Sequence, residues 1–484
     1  MIGANATGAN RSHASFAKVA ANRWLMNDSA AGAGSSAARF ARLRGVGVVD
    51  CDDVDALPAR ISGPAMIAID ALRWDALPAR GKRHLAILVG DGATLYVRGI
   101  PPSRPVLDLA PFAQSEVTIG QERRAVGYRF TTSRMLPRVL AGEEAAWGVF
   151  DAAGAELLAP AAEELLMLRH VDGHERAAIF GLPYGSGYVI WDLHCEPEVD
   201  VQTPIVARLA RPELRHLEVG ALLAADAAVR ADPRRLPPFN LTIDDRPVNF
   251  DHFNTAALCA LLGHIEGRCP GAHTDFGWTP RHTNPSRSYL EALKQFPTGF
   301  VWHGMYRHVD HRAIADPAAE LAEGNHLAGE IQRRFEVRLQ PIMIFPFERS
   351  APEQFGLLAQ AGFLACVEEA RHSRAPQAPV PGYLADSLPC LTDEDCGFTV
   401  LYRYPAATLT RDRMLAMAAL GLPIIAYAHP DDVGLRRFSR LWDRKGDVSH
   451  FDHVLKFASS KGLPSRSLEE IATEVRNTSA ACDW

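Results

Sequence analysis

Between Asn240 and Val433 the chain alternates short apolar runs with segments of helical periodicity, and four of the runs end in clusters of chemistry-bearing residues. Alternation on this scale argues for βα units around a parallel sheet. The four ends are Leu241-Thr-Ile-Asp-Asp-Arg-Pro247, Phe300-Val-Trp-His-Gly-Met-Tyr-Arg-His-Val-Asp-His311, Pro341-Ile-Met-Ile-Phe-Pro-Phe-Glu-Arg349 and Leu422-Pro-Ile-Ile-Ala-Tyr-Ala-His-Pro-Asp-Asp432. Each falls at the C-terminal tip of an expected strand. In parallel barrels and sheets that is the face where active sites are built.

Neighbouring residues on a regular strand point to opposite faces, but at a strand end both Asp244 and Asp245 can reach one pocket. Taken alone, an Asp-Asp pair reads first as a turn and helix cap. A lone histidine likewise reads as a satisfied polar residue. Here His303, His308 and His311 follow one strand within nine residues. With Asp-Asp at the same end of the sheet, they point to a metal, because imidazole is the commonest nitrogen ligand of zinc-like ions.

Composition narrows the classes further. The 484 residues suggest two or three domains with substantial cores. The net charge of −6 leaves no basic excess for a nucleic-acid partner. Only six of the 51 basic residues are lysine, so a single arginine carries little weight by itself. The eight cysteines are scattered with no CxxC pair, which offers neither a disulfide framework nor a Cys-based zinc site. Met1 to Asn27 lacks a secretory pattern, and the longest apolar run, Met414 to Ala428, contains Gly421 and Pro423 and is too short for a transmembrane segment. A soluble, cytoplasmic protein is expected.

Residues 1–44, rich in Ala, Ser, Gly and Asn, read as a mobile arm with a short helix near Phe16–Met26. Strands are expected at Val46–Val49, Met66–Ile69 and His84–Val89. Asp55-Ala-Leu-Pro-Ala-Arg60 returns as Asp75-Ala-Leu-Pro-Ala-Arg80, suggesting repeated strand–turn–helix units. Ala177–Phe180 and Tyr188–Leu193 flank Gly181-Leu-Pro-Tyr-Gly-Ser-Gly187, a hairpin pattern. Residues 205–232 read as helix, and Arg234-Arg-Leu-Pro-Pro238 as a stiff boundary. The expected organisation is an arm to 44, an α/β domain over 45–235, a second α/β domain over 236–438 and a peripheral segment over 439–484.

The order of Thr242-Ile-Asp-Asp245, His303-Gly-Met-Tyr-Arg-His308, Phe345-Pro-Phe-Glu-Arg349 and Ile424-Ile-Ala-Tyr-Ala-His429 resembles the polysaccharide deacetylase family, metal-dependent carbohydrate de-N-acetylases. The resemblance covers about two-fifths of the chain and implies a distorted (β/α)7 barrel. The Ile179–His194 hairpin resembles the closing hairpin of degenerate glutamine-amidotransferase-like domains, implying a flavodoxin/amidotransferase-like α/β domain before the barrel. Cys51, followed by two Asp, does not fit that family's glycine-flanked nucleophile elbow, so this domain is expected to be non-catalytic.

The deacetylase resemblance implies removal of an N-acetyl group from an amino sugar or sugar-containing precursor, releasing acetate. Asp245, His303 and His308 would hold one divalent metal, Zn2+ first, with Fe2+, Co2+ or Ni2+ also compatible. Asp244 would be the general base, His429 the acid for the leaving amine, and Arg349 the partner of Asp244. The Phe347 backbone N–H, Trp278 and Arg246 would meet the substrate, with Trp302 a second candidate platform, although a tryptophan at a strand end is more often core and Arg246 equally suits a surface salt bridge. The family spaces its metal histidines four apart, whereas His303 and His308 are five apart, which keeps His311 open as the ligand. Arg246 replaces the usual Gly. Asp431 is the candidate acidic partner of His429. A carbohydrate-binding or scaffold protein with a decayed site, and an amidase on a non-sugar acetamide, are the alternatives, and a homo-oligomer stays open. His429-Pro-Asp-Asp432 also resembles the signature of another zinc de-N-acetylase family, but too little chain follows it. Val48-Val-Asp-Cys-Asp52 resembles the opening of haloacid-dehalogenase phosphatases without their downstream residues.

Overall fold

In the computed structural model, the described residues are 36–44, 46–50, 57, 64–100, 106–113, 116–119, 123–157, 162–194, 205–244, 255–348, 351–369, 390–392, 398–433 and 447–481. The expected helix at Phe16–Met26, Cys51 and most of the first Asp-Ala-Leu-Pro-Ala-Arg copy lie outside them, as do Asp245, Arg246 and Arg349. The chain divides into two units. Among the described residues, one takes 36–194 and 211–235, the other 205–210 and 236–481.

The first unit is organised by one mixed sheet. Its strands are β1 (Gly47–Asp50), β2 (Ala65–Asp70), β3 (Thr94–Arg98), β4 (Val106–Asp108), β5 (Glu116–Ile119), β6 (Arg123–Phe130), β7 (Glu144–Ala152), β8 (Ala155–Leu157), β9 (Glu163–His170), β10 (Glu175–Tyr184) and β11 (Gly187–Asp192). β1, β2, β3 and β11 lie side by side and parallel. From β10 onward the ladders are antiparallel. Trp74 sits at the centre of the apolar core, its ring 5.6 Å from Phe112 and edge-on to Trp191 at 5.5 Å.

Three local expectations change here. His84–Val89 is helix rather than strand, part of Ala79–Gly90. Leu85, Leu88 and Val89 are buried while Ile87 is 59% exposed, which is helical spacing; a six-residue apolar run does not distinguish the two periods. The hairpin turn is shorter than expected. Gly181 to Tyr184 continue β10, with Gly181 opposite Ile190 and Tyr184 opposite Gly187. Pro183 fits because the β9 ladder has already ended at Gly181. Residues 36–44, expected to belong to the arm, include the helix Ser36–Leu43. It buries Phe40 and Ala41, and Arg44 is paired with Asp226 at 2.5 Å.

The second unit is a closed barrel. Its strands are β12 (Phe239–Asp244), β13 (Thr274–Trp278), β14 (Thr298–His303), β15 (Gln340–Ile344), β16 (Ala365–Glu369), β17 (Cys390–Thr392), β18 (Thr399–Pro405) and β19 (Ile424–Ala428). Seven of them run parallel in the order β12-β13-β14-β15-β16-β18-β19, and β19 returns to β12. β17 lies antiparallel along β18 outside that ring. The expected distorted (β/α)7 barrel is therefore the fold of this unit. Every residue of β12, β13 and β19 is buried, as expected when helices cover a parallel sheet.

Two contacts identify the inward face. Gln340 on β15 reaches Asp275 on β13 across β14, and Arg403 on β18 reaches Asp244 on β12 across β19. Such contacts skip a strand and can be made only inside the ring. Gly299 on β14 is the residue that lets the first pass. A Cβ there would lie 2.1 Å from Gln340 Nε2 and 2.2 Å from Asp275 Oδ1.

The C-terminal segment, expected to be peripheral, belongs to this core. Leu468, Ile471 and Ala472 of the helix Leu468–Ala481 are fully buried in one cluster with Val301, Ile342, Leu401 and Ile425 of the strands. The Leu468 backbone N–H donates to Asp275 Oδ2 at 2.8 Å. The apolar residues at 468, 471, 472 and 475 are spaced as one helix face, and the open end of the barrel offers them the apolar surface they need.

Candidate functional site

The inward residues nearest the C-terminal ends of β12, β14, β18 and β19 converge at the barrel mouth. Asp244 ends β12 and is 2% exposed. Both its oxygens are held by the Arg403 guanidinium, Nη1 on Oδ1 and Nη2 on Oδ2 at 2.5 Å. A bidentate fork of this kind is the strongest arrangement for an arginine–carboxylate pair. Burial alone would push the Asp244 carboxyl upward; Arg403, with help from the nearby histidines, overrides it and holds the group ionised below the usual carboxylate range.

Among the described residues the partner of Asp244 is Arg403; Arg349, expected in that place, lies outside them. Arg403 lies in Phe398-Thr-Val-Leu-Tyr-Arg-Tyr404, and its only local signal is a charge on the same strand face as Leu401. In an arginine-rich chain that signal is faint.

His303 ends β14, is 3% exposed, and its Nδ1 has no hydrogen-bond partner among the described residues. Burial pushes its pKa down to about 3, with Asp244 opposing and His308 reinforcing the shift, so the ring is neutral at ordinary pH. Gly277 on β13 leaves it room, since a Cβ there would sit 3.3 Å from His303 Cβ.

The loop after His303 explains the five-residue histidine spacing. Gly304 takes φ +91°, and a Cβ there would lie 2.5 Å from the Arg307 carbonyl oxygen. Arg307 is tied to Glu320 through its guanidinium at 2.7 Å. Gly324 lets the helix Pro317–Phe335 touch the loop, because a Cβ there would lie 1.8 Å from the Met305 carbonyl oxygen. The result carries the His308 ring to 4.8 Å from His303. His311 turns elsewhere. It is fully buried, its Nε2 accepts the Met305 N–H at 3.3 Å, and its ring stands edge-on to Phe345 at 4.7 Å. Burial lowers its pKa to about 4.

His429 follows β19 and is half-exposed. Its backbone N–H donates to Asp432 Oδ2 at 3.0 Å, and its Nδ1 lies 3.6 Å from the same oxygen. The Asp432 interaction, opposed by burial and assisted by Asp244, raises the His429 pKa above the ordinary histidine value. The observed acidic neighbour is therefore Asp432, one residue beyond the expected Asp431. Tyr427, two residues before His429 on β19, lies under the Arg403 guanidinium at 4.2 Å and edge-on to His429 at 5.7 Å.

Phe347 adopts φ +61° and is 52% exposed, with its ring 4.9 Å from His308. A left-handed non-glycine residue costs on the order of 1–3 kcal/mol, and such strain clusters at functional sites. Trp278 is not a platform. It points outward from β13, is fully buried, and packs 4.0 Å from Phe300 and 6.5 Å from Tyr289. Trp302 is likewise core, edge-on to Phe363 at 5.2 Å. Both follow from strand alternation, since the inward places beside them belong to Gly277 and His303.

The nitrogen donors suit a divalent metal: His303 is neutral, buried, has an unpartnered Nδ1, and stands beside His308. Among the described residues no group of three or more His, Cys, Asp or Glu side chains is placed to hold a metal ion. The third ligand of the expected set, Asp245, lies outside those residues.

No family model matches the chain, and no curated protein matches it by sequence. Solved structures do. A carbohydrate deacetylase, Agd3, aligns over 94% of this chain and 86% of its own with a TM-score of 0.56 at 11% identity. A family 4 carbohydrate esterase from Streptomyces lividans aligns over 48% of this chain and 93% of its own, with a TM-score of 0.29 and 13% identity. The chitin deacetylase of Colletotrichum lindemuthianum covers 49% and 88%, with 0.29 and 14%. At these identities the Agd3 likeness shows the fold. Among the described residues no helix is long and apolar enough to cross a membrane.

Proposed function

We propose that the chain is a metal-dependent hydrolase that removes an N-acetyl group from an amino sugar, releasing acetate. The observation that carries this reading is a buried, ionised Asp244 beside a neutral His303 and a raised-pKa His429 at the mouth of a closed βα barrel. A barrel likeness to Agd3, a carbohydrate deacetylase, supports it.

His303, His308 and Asp245 would hold the metal, zinc first. When bound, a divalent metal polarises an acetamide carbonyl and lowers the pKa of water at the site. Asp244 accepts the proton that water loses on attacking the carbonyl carbon; its fixed orientation under Arg403 leaves one direction for that transfer. His429 gives its ring proton to the departing nitrogen as the C–N bond breaks, so the products are acetate and a free amine. The Phe347 N–H and exposed ring border the place where the acetamide would lie, and Arg246 is positioned in sequence to meet an anionic part of the substrate. The first unit would be a non-catalytic domain of the amidotransferase-like kind, and the β10–β11 hairpin is the element on which that likeness rests.

The test is acetate release from a panel of N-acetylated amino sugars and oligosaccharides by the full chain, beside elemental analysis of wild type and His303→Ala. About one metal per chain, lost in the variant, together with acetate release, is expected. A chain that takes up no zinc, cobalt or iron and releases no acetate is a sugar-binding protein or scaffold instead. Release from non-sugar acetamides alone would make it an amidase.

A further inference from the structure

The Arg403–Asp244 bridge spans β19, and the residue of β19 beneath it is Tyr427. We propose that Tyr427 is a positioning residue: its ring is the shelf over which the Arg403 guanidinium lies, and the ring meets that of His429 edge-on, so that one side chain sets the geometry of both proton-transfer groups. This rests on the deacetylase reading above.

Three observations carry it. The guanidinium carbon stands 4.2 Å from the Tyr427 centroid, within the range of a cation–π contact. The same ring meets His429 at 5.7 Å and 81°. Register explains why Tyr427 is placed to do this. Tyr427 pairs with Thr242 on β12 and Pro405 on β18, so its level lies two residues before Asp244 on one side and two residues past Arg403 on the other, midway along the diagonal the bridge takes across β19. A bidentate fork needs its two planes aligned. Arg403 is fully buried, and an aromatic face beneath it fixes the plane without demanding a hydrogen bond. A leucine or methionine at 427 would fill volume but leave the guanidinium free to rock, taking Asp244 with it.

The experiment uses the full chain as wild type, Tyr427→Phe, Tyr427→Leu and Tyr427→Met, each checked by circular dichroism and melting temperature. On side-chain 15N-arginine spectra, the Arg403 Nε–H signal, assigned by its loss in Arg403→Lys, should show a ring-current shift in wild type and Tyr427→Phe and lose it in the Leu and Met variants. In acetate release, the Leu and Met variants should lose about tenfold to a hundredfold in kcat with KM within about twofold, the signature of misplaced reacting groups. Tyr427→Phe should recover most of that loss. If Tyr427→Leu fails to fold, the unbranched Met variant, which adapts better to an irregular gap, decides. Wild-type kcat in a folded variant without a ring, or a Phe variant as slow as Leu, overturns the proposal. So does an Arg403 signal that ignores residue 427. If the wild type releases no acetate, the deacetylase reading fails and the catalytic half of the proposal falls with it, while the arginine spectra still decide whether the shelf exists.

Discussion

At the floor of the barrel the Asp275 carboxylate receives four donors: Asn240 Nδ2 at 2.9 Å, His273 Nε2 at 3.1 Å, Gln340 Nε2 at 2.7 Å and the Leu468 N–H at 2.8 Å. At the mouth, Asp244 is as deeply buried, but among the described residues Arg403 alone supplies its side-chain ion pair, and its neighbour His303 has no partner at Nδ1. None of Asp275, Asn240 or Gln340 leaves a buried side-chain atom without a partner. Gln340 also accepts the Glu469 N–H at 3.0 Å, and Asn240 donates to the Arg466 carbonyl at 2.8 Å. Both ends thus bury a carboxylate inside one ring of strands. The floor spends its hydrogen-bonding capacity on holding the C-terminal helix in place; the mouth withholds some, and unspent capacity in a preorganised setting is what chemistry requires.

The comparison breaks if the two carboxylates respond alike to substitution. Asp244→Asn should lower kcat per folded molecule by about a hundredfold to ten-thousandfold, the range for loss of a general base, and should also lower the melting temperature, because it leaves the buried Arg403 guanidinium without its counter-charge. Initial rates and a thermal melt on the same preparation check this, and near-normal activity would sink the assignment. Asp275→Ala should lower stability alone. It leaves four donors of the floor unpaired at a cost of about 3–5 kcal/mol, read as a lower urea midpoint at unchanged kcat per folded molecule. A folded Asp275→Ala protein with collapsed kcat would show that the floor is not merely structural.

Two further substitutions sharpen the picture of the mouth. His308→Ala should weaken zinc binding by more than His311→Gln, for which about a hundredfold is the expected ceiling of an indirect contribution. Elemental analysis after dialysis separates them, and the opposite order would return His311 to the ligand set. The smallest effect concerns pH. Asp432 raises the His429 pKa, so the acid form that protonates the leaving amine persists above the ordinary histidine range and is lost as pH rises through the raised value. Asp432→Asn removes that support, and the alkaline limb of the kcat profile should move toward acid. An unmoved limb would place the titrating acid elsewhere.

Much of the site was legible because strands that end in charge and imidazole are unusual and each such end is a local pattern. Asp244, His303 and His429 close strands in that way and stand together at the mouth; the alternation that precedes them argues for a parallel α/β unit, and the barrel was implied by the family resemblance. Arg403 and Tyr427 were missed because each lies within an ordinary strand, in Leu401-Tyr-Arg-Tyr404 and Ile425-Ala-Tyr-Ala428, where nothing adjacent in sequence sets them apart. Trp278 was misplaced for a related reason: its position at a strand end was visible, but the face it occupies depends on the register of β13 against β14. His84–Val89 shows the same limit at smaller scale, a run too short to declare its period.

The sequence by itself determined which residue types close each strand and, through the two-residue period of a strand, which of them share a face. It also held the apolar face of Leu468–Ala481 ready for a partner. Only the tertiary structure decided who meets whom. Ring closure sets β18 two places from β12, with β19 between, and so brings Arg403 over Tyr427 onto Asp244, 159 residues away in the chain. Strand periodicity is a local property written in adjacent residues, whereas strand order and register arise from packing the whole barrel, and a contact across the ring depends on both.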